Sequence, residues 1–267
     1  MLLFFCSLNY TFANDGGDKR PTGARSAGMG NASVTLSDQW AFYNNAAGLA
    51  SLQNSYATST FQHSFGLRAL NVMGASFIMP LSTGVSAMGI HKFGDEYFNV
   101  QNLSLGYGHK IDQVSLGMKI NCLQLSIDQF GSRRFFVAEL GGISELLPNL
   151  TMGAHIYNIN RAKISEHEAI PTVMKLGITY FPHEKLLLTI ETKKDIDYKA
   201  MFKAGIEYKF HECFVARTGF TTEPYVNYFG IGINRKNLSI DYATGINYSL
   251  GAIYQLSLSW KFVKDES

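Results

Sequence analysis

Three His-Glu dipeptides stand in this chain: His167-Glu168, His183-Glu184 and His211-Glu212. A zinc-bound, activated water needs a second imidazole four residues on, so that both ligands share one helix face. None of the three extends to His-Glu-x-x-His. A serine nucleophile needs a base within hydrogen-bond reach, and no Gly-x-Ser-x-Gly elbow is present to present one. Ser104 with His109 or His155 could share one wall of a β-structure, but their spacing selects neither pair. The plainer reading makes these histidines interior or interface groups. Cys6, Cys122 and Cys213 lack metal-cluster spacing. A Cys122–Cys213 disulfide stands against the simpler reading of two unpaired thiols. Gly28-x-Gly30 is no phosphate loop, because no third glycine and no Lys-Ser/Thr pair follow it. No cofactor or metal is implied, and the expectation is a protein that is not an enzyme.

The elements around these residues have a different purpose. Charged residues are 16% of the chain and aromatics 13%, with 25 Gly against 6 Pro. That charge fraction is well under the roughly 25% of soluble domains. No stretch of 18 or more apolar residues exists for a spanning helix. The net charge of +2 argues for neither nucleic acid nor an anionic surface.

From residue 54 onward the chain alternates with period 2. Phe202, Ala204, Ile206, Tyr208 and Phe210 share one face, with Lys203, Gly205, Glu207 and Lys209 on the other. Val114–Cys122 alternates likewise, and its apolar parity then slips at Leu123, Leu125 and Ile127, which predicts a β-bulge. Turn signals divide the region into fourteen strands near 54–63, 69–80, 84–93, 99–110, 113–127, 133–146, 150–159, 170–181, 185–194, 199–210, 213–221, 227–234, 238–247 and 252–263. Residues 54–263 then allot roughly fifteen residues to each strand and its connection, against about 9–11 for a tilted membrane-crossing strand. Alternate connections form a short set (such as Ile111-Asp112 and Pro148-Asn149) and a longer set, of which Asn160–Ala169 is the longest. Short periplasmic turns opposite longer outer loops are the asymmetry of bacterial outer-membrane barrels, and an even strand count leaves both ends periplasmic.

Lys119, Glu139, Lys175, Glu191, Lys203, Glu207, Arg217 and Asp241 fall inside strands, mostly opposite the large apolar residues. On the lipid face at mid-bilayer a Lys or Arg would cost about 2–4 kcal/mol. The expectation is therefore that they line a lumen, where opposite charges pair. A soluble β-sandwich with these charges facing water is the alternative. Tyr254-x-Leu-x-Leu-x-Trp-x-Phe262 resembles the C-terminal signal by which bacterial barrels meet their assembly machinery, although Val263-Lys-Asp-Glu-Ser follows it. Lipid and that machinery are the expected partners, and the bacterial outer membrane the expected location. Met1–Ala13 reads as an export signal, apolar and ending in a small residue. A lipid anchor at Cys6 is disfavoured by the bulk of Phe5.

Residues 14–52 follow another pattern, and residues 53–267 form the barrel. Gly23-Ala-Arg-Ser-Ala-Gly-Met-Gly30, an acid at Asp38, and Phe42-Tyr-Asn-Asn-Ala-Ala-Gly-Leu-Ala50 stand ahead of the strands. This resembles the N-terminal signature of FadL-type outer-membrane transporters and of the related PorV/PorQ-type proteins of the Bacteroidetes. Gly23, Ala24, Arg25, Gly28, Gly30, Asn45, Ala47 and Gly48 carry the match, and Ala46 stands where the family has Pro. The resemblance implies an all-β, fourteen-stranded antiparallel barrel whose N-terminal segment folds back into the lumen as a hatch. In FadL-type transporters hydrophobic molecules enter from outside and leave laterally through the wall. PorV-like relatives instead hold or shuttle cargo for type IX secretion. The implied function is passage of hydrophobic or small solutes past the hatch, with a hydrophobic ligand as partner. The alternative is an accessory role with secretion components as partners.

Overall fold

A computed structural model of the protein describes residues 23–165, 168–196 and 198–263. The export signal expected over 1–13, residues 14–22 of the following segment, and His167 lie outside the described residues.

Among the described residues the strands run β1 (Ser55–Ser64), β2 (Leu67–Leu81), β3 (Gly84–Gly94), β4 (Phe98–Ile111), β5 (Val114–Ile127), β6 (Gly131–Leu147), β7 (Leu150–Tyr157), β8 (Lys163–Ser165), β9 (Glu168–Ala169), β10 (Val173–His183), β11 (Leu186–Asp195), β12 (Met201–His211), β13 (Phe214–Thr222), β14 (Tyr225–Arg235), β15 (Leu238–Asn247) and β16 (Gly251–Phe262). All but β8 and β9, which pair only with each other, join antiparallel into one sheet, and β1 pairs with β16 to close it as a barrel of fourteen strands. Closure leaves no unpaired edge, which is what a sheet in lipid requires. The fourteen predicted strands are all present, with ends within three residues of expectation. Alternation sets which way each side chain points, and turn residues set where each strand stops.

The two faces of the wall differ in chemistry. Phe202, Ile206, Tyr208 and Phe210 on β12 stand outward and exposed, as do Tyr254, Leu256, Leu258, Trp260 and Phe262 on β16. Lys119, Glu139, Glu191, Lys203, Arg217 and Asp241 point inward and are buried. An outward apolar band around a polar interior is the arrangement of a membrane barrel, with the charges kept from lipid.

Two expectations need correction. The connection Asn160–Ala169 is not plain loop: within it β8 and β9 pair as a two-stranded hairpin. The bulge expected at Leu123 is also absent, since β5 keeps unbroken register with β4 and β6, including Leu123↔Asn102 and Leu123↔Phe135. Irregularities fall near the rims instead, between Tyr180 and His183 or Lys209 and His211. Ser115, Gly117, Lys119, Asn121 and Leu123 all face the lumen and are buried. The strand does not turn over at Leu123. The lumen wall on this side changes from polar to apolar.

Candidate functional site

Residues 23–52 pass through the inside of the barrel. They comprise α1 (Ala24–Gly28), α2 (Ala41–Asn44) and a 3-10 turn (Ala46–Ser51), none long enough to be stable alone. Their order comes from the wall. The segment starts against β14–β16, where the Ala24 amide donates to Ser257 Oγ at 2.8 Å and Gly28 lies against Gly230. It then crosses to β2–β4, where Tyr43 Oη donates to the carbonyl of Ala75 at 2.7 Å. Trp40, Phe42 and Leu49 are fully buried among Ile78, Val85 and Ala87 of the wall.

Three groups of wall charges hold this segment. Arg25 donates two hydrogen bonds to Glu207, at 2.9 and 2.7 Å, and a third to Asp38 at 2.9 Å. Arg217 bridges the same Glu207 (2.6 Å) to Asp241 (2.7 Å). Burial works against the Arg25 charge, and the Glu207 and Asp38 carboxylates more than offset it, so the guanidinium stays protonated. In the second group Glu191 accepts the amides of Ser33 and Val34, each at 2.8 Å, while Lys203 pairs with Glu191 and donates to the Asn31 carbonyl. Lys175 also faces the lumen here and is buried. In the third, Lys119 donates to the Phe42 carbonyl at 3.0 Å and pairs with Glu139 at 3.2 Å. His155 lies 2.9 Å from the same carboxylate, and Asn121 donates to it at 2.7 Å. A buried charge is tolerable only when paired and hydrogen-bonded, and here the inner segment supplies some of the partners. All the strand charges singled out from the sequence lie in these three groups, beside the segment.

Shape adds to charge. A methyl group at Gly205 would stand 2.5 Å from the Met29 carbonyl, and one at Gly219 would stand 2.5 Å from the Gly30 nitrogen. Gly117 similarly leaves no room beside Ala46 and Ala47, nor does Gly153 beside Val34 and Thr35. Glycines inside strands mark places where another backbone approaches closely. The motif glycines meet the same limit from the other side. Gly30 sits at φ +66 against the Phe220 and Ala204 carbonyls, Gly23 at φ +83 under the Trp40 ring, and Gly48 faces the Leu36 carbonyl. Asn45 accepts the Ala47 amide at the start of the 3-10 turn and donates to the carbonyls of Val34 and Ala154. That crosslink holds the turn at Ala46 without the proline.

Beyond the charged groups, toward the rim opposite the chain ends, one side of the lumen carries an apolar patch, while Lys193 and Asp195 of β11 keep the neighbouring wall charged. Leu123, Val137, Tyr157, Val173 and Ile170 pack together, with Val100, Phe135, Ala162 and Ile164 against them. Ala162, Ile164 and Ile170 belong to the connection that carries β8 and β9.

Two cavities flank the inner segment. One, of about 280 Å³, opens at the end-bearing rim between Arg25, Gln39, Lys185, Glu207, Lys209 and Arg217. The other, of about 390 Å³, is an apolar groove on the outer surface lined by Ile178, Tyr180, Leu188, Ile190, Ile206 and Phe220. Its floor is Ala204 with the cross-strand pair Gly205 and Gly219, so only backbone separates it from Met29 and Gly30 inside.

The catalytic candidates do not come together. Ser104 donates to Asn121, His155 faces Glu139, and His109 is exposed beside the Thr83 carbonyl. Cys122 and Cys213 are both free. Among the described residues no group of His, Cys, Asp and Glu is arranged to hold a metal. Sequence reading passed over the buried lumen residues Lys193 and Asp195 of β11 and the strand glycines, whose signal was their position inside alternating runs.

The sequence matches no family model and no curated protein. The fold has clear likenesses. It resembles the CymD monoaromatic hydrocarbon channel at 11% identity and a TM-score of 0.67, over 91% of this chain and 98% of that one. The fold is that of the FadL-type hydrocarbon channels. The Pseudomonas putida toluene transporter TodX (12%, TM-score 0.64, 90% and 97%) and the Ralstonia pickettii toluene transporter TbuX (12%, 0.63, 90% and 98%) are similar to it in the same way. The PorV/PorQ-like branch gains no support from these likenesses. With its apolar outer band and polar interior, the chain is a bacterial outer-membrane β-barrel.

Proposed function

We propose that this barrel passes uncharged, apolar solutes across the outer membrane, with residues 23–52 as its hatch. The observation that carries the reading is the apolar patch that Leu123, Val137, Tyr157, Val173 and Ile170 place on one side of the outer lumen, beyond the hatch. A pore for ions or sugars needs a polar, watered lumen throughout. An apolar patch on the path attracts hydrocarbons by the ordinary hydrophobic effect and offers ions or sugars no partner. The likeness to channels whose names refer to monoaromatic hydrocarbons and toluene supports the same class of solute. The segment fills the lumen below that patch, so solute passes only when the segment shifts. The apolar groove over Gly205 and Gly219 offers a lateral way out where the wall is thinnest. No observation on this structure favours the secretion-accessory role.

The test is uptake into liposomes carrying the purified barrel, with toluene and a small sugar as paired solutes. Faster toluene entry than in empty liposomes, with no gain for the sugar, is the expected result. Equal gains for both would sink the reading, and so would no gain for toluene.

A further inference from the structure

We propose that the outward face of β3–β6, near the rim opposite the chain ends, binds the phosphorylated headgroup of an outer-leaflet glycolipid of the lipid A type. Lys92 and Arg134 meet the phosphates, and Gln101 and Gln124, between them, meet the sugar. The site does not depend on the transport reading. It needs only a barrel in the outer membrane.

These four adjacent strands change chemistry together on their lipid side. Ile90, Leu103, Cys122 and Phe136 are cross-strand neighbours on the outward face and form an apolar row. Two residues nearer the outer rim on each strand stand Lys92, Gln101, Gln124 and Arg134, again paired in register. Side chains two apart share a face, so this second row also points outward. Lys92 and Arg134 are three strands apart, about 14 Å along the row at the usual strand spacing. Among the described residues, the outward charges of the wall strands in this half are Lys92, Arg134 and Lys194, and all are cations. The far side of the barrel does the reverse. Near the outer ends of β12 and β13 the outward residues are Phe202 and Phe220, both exposed. Aromatic girdles are the usual furnishing of that level, and cations there need an anion or water for their charge.

Hydrogen bonds hold the polar row against the wall. Arg134 Nε donates to Gln124 Oε1 at 2.7 Å, which ties the guanidinium to its neighbour strand. Gln101 Nε2 donates to Asn99 Oδ1 at 3.1 Å, and Asn99 Nδ2 donates to the Asp95 carbonyl at 3.2 Å. Asp95 is the acid nearest Lys92 in sequence, and its Oδ1 accepts the Tyr97 and Phe98 amides. Among the described residues no carboxylate pairs with Lys92 or Arg134. A phosphate offers three acceptor oxygens to an ammonium or a guanidinium fork. Two cations flanking two amides suit a headgroup with two phosphates and hydroxyls between them, and the apolar row beneath suits its acyl chains. Lipid A, a doubly phosphorylated disaccharide on acyl chains, has this pattern and lies in the outer leaflet. A phospholipid with one phosphate satisfies one cation and leaves the other.

Native mass spectrometry of the delipidated full-length barrel tests the site, with lipid A, its fully dephosphorylated form and phosphatidylglycerol as probes. The expected result is one lipid A bound about twenty-five-fold tighter than the dephosphorylated form, about five-fold for each cation satisfied. Lys92→Gln and Arg134→Gln should each weaken lipid A by about five-fold and together by about twenty-five-fold, leaving the dephosphorylated form unchanged. Lys194, outside the row, donates to the Tyr198 carbonyl, and Lys194→Gln should change lipid A binding by under about two-fold. The heat-dependent gel shift checks that each variant has assembled, and where the double variant fails the single ones decide. Equal affinity for phosphorylated and dephosphorylated lipid, or parent-like affinity in the row variants, overturns the site. Phosphatidylglycerol bound as tightly as lipid A overturns the glycolipid assignment. Inorganic phosphate that displaces lipid A at equal concentration overturns the lipid and leaves a site for free anions.

Discussion

The two ends of the lumen meet their inner elements by opposite means. Toward the end-bearing rim, the inner segment is gripped by ion pairs and backbone hydrogen bonds and fitted against wall glycines. Toward the far rim, the β8–β9 hairpin rises from a hydrogen-bonded base at Asn158 and lays isoleucine side chains on an apolar patch. The first contact is directional and specific, because each amide and each charge has one partner that suits it. The second is non-directional where the isoleucines meet the patch. The contrast puts the step that opens the path at the inner segment.

The sharpest way to break this contrast is to fill the space reserved for the inner segment. Gly219→Val places a branched side chain against Met29 and Gly30. Overpacking against side chains costs about 1–3 kcal/mol, and against backbone the cost is larger. The expected outcome is an assembled barrel with its segment expelled, read as protease sensitivity within residues 23–52 and a large rise in bilayer conductance. Retained protection would mean that the glycines are incidental.

Removing Arg25 comes next. Arg25→Ala leaves Glu207 and Asp38 without their shared cation in a mostly buried site, for an expected loss of about 3–5 kcal/mol. The loss should appear as a lower temperature for the heat-dependent gel shift of the folded barrel. A milder loss is expected at the other end. Leu123→Asn keeps the branched shape but makes the outer apolar patch polar, and should cut toluene flux about ten-fold without exposing the inner segment to protease, since an unpartnered buried amide costs about 1–3 kcal/mol. The smallest effect belongs to the exposed Lys110–Glu145 pair at 2.7 Å on the turn rim. Lys110→Ala should change stability by under about 1 kcal/mol and flux not at all.

Much of this architecture is legible in the sequence, because a strand's period and its turn residues are local signals. Phe202–His211 and Tyr254–Phe262 announce both the strand and its lipid face. Leu123 is misleading for a physical reason. Periodicity reports only which face is apolar, and when the lumen wall on that side turns from polar to apolar, an unbroken strand looks like a bulged one. The strand glycines Gly117, Gly205 and Gly219 are legible as anomalies, yet their purpose depends on a backbone far away in sequence. The same holds for Arg25, whose partner Glu207 lies 182 residues on. The N-terminal signature suggests that these residues matter, but only the closed barrel brings the pair together.

The central claim is that solute passes only when residues 23–52 move. Thr35 of the inner segment and Thr179 of β10 have hydroxyls 2.5 Å apart, a spacing suited to a disulfide between cysteines at the two positions. Toluene uptake should be measured in liposomes carrying the Thr35→Cys/Thr179→Cys barrel, with Cys122 and Cys213 replaced by Ala, before and after reduction. The account predicts uptake near that of empty liposomes when oxidised, restored by reduction to the parent level. Equal uptake in both states would contradict it.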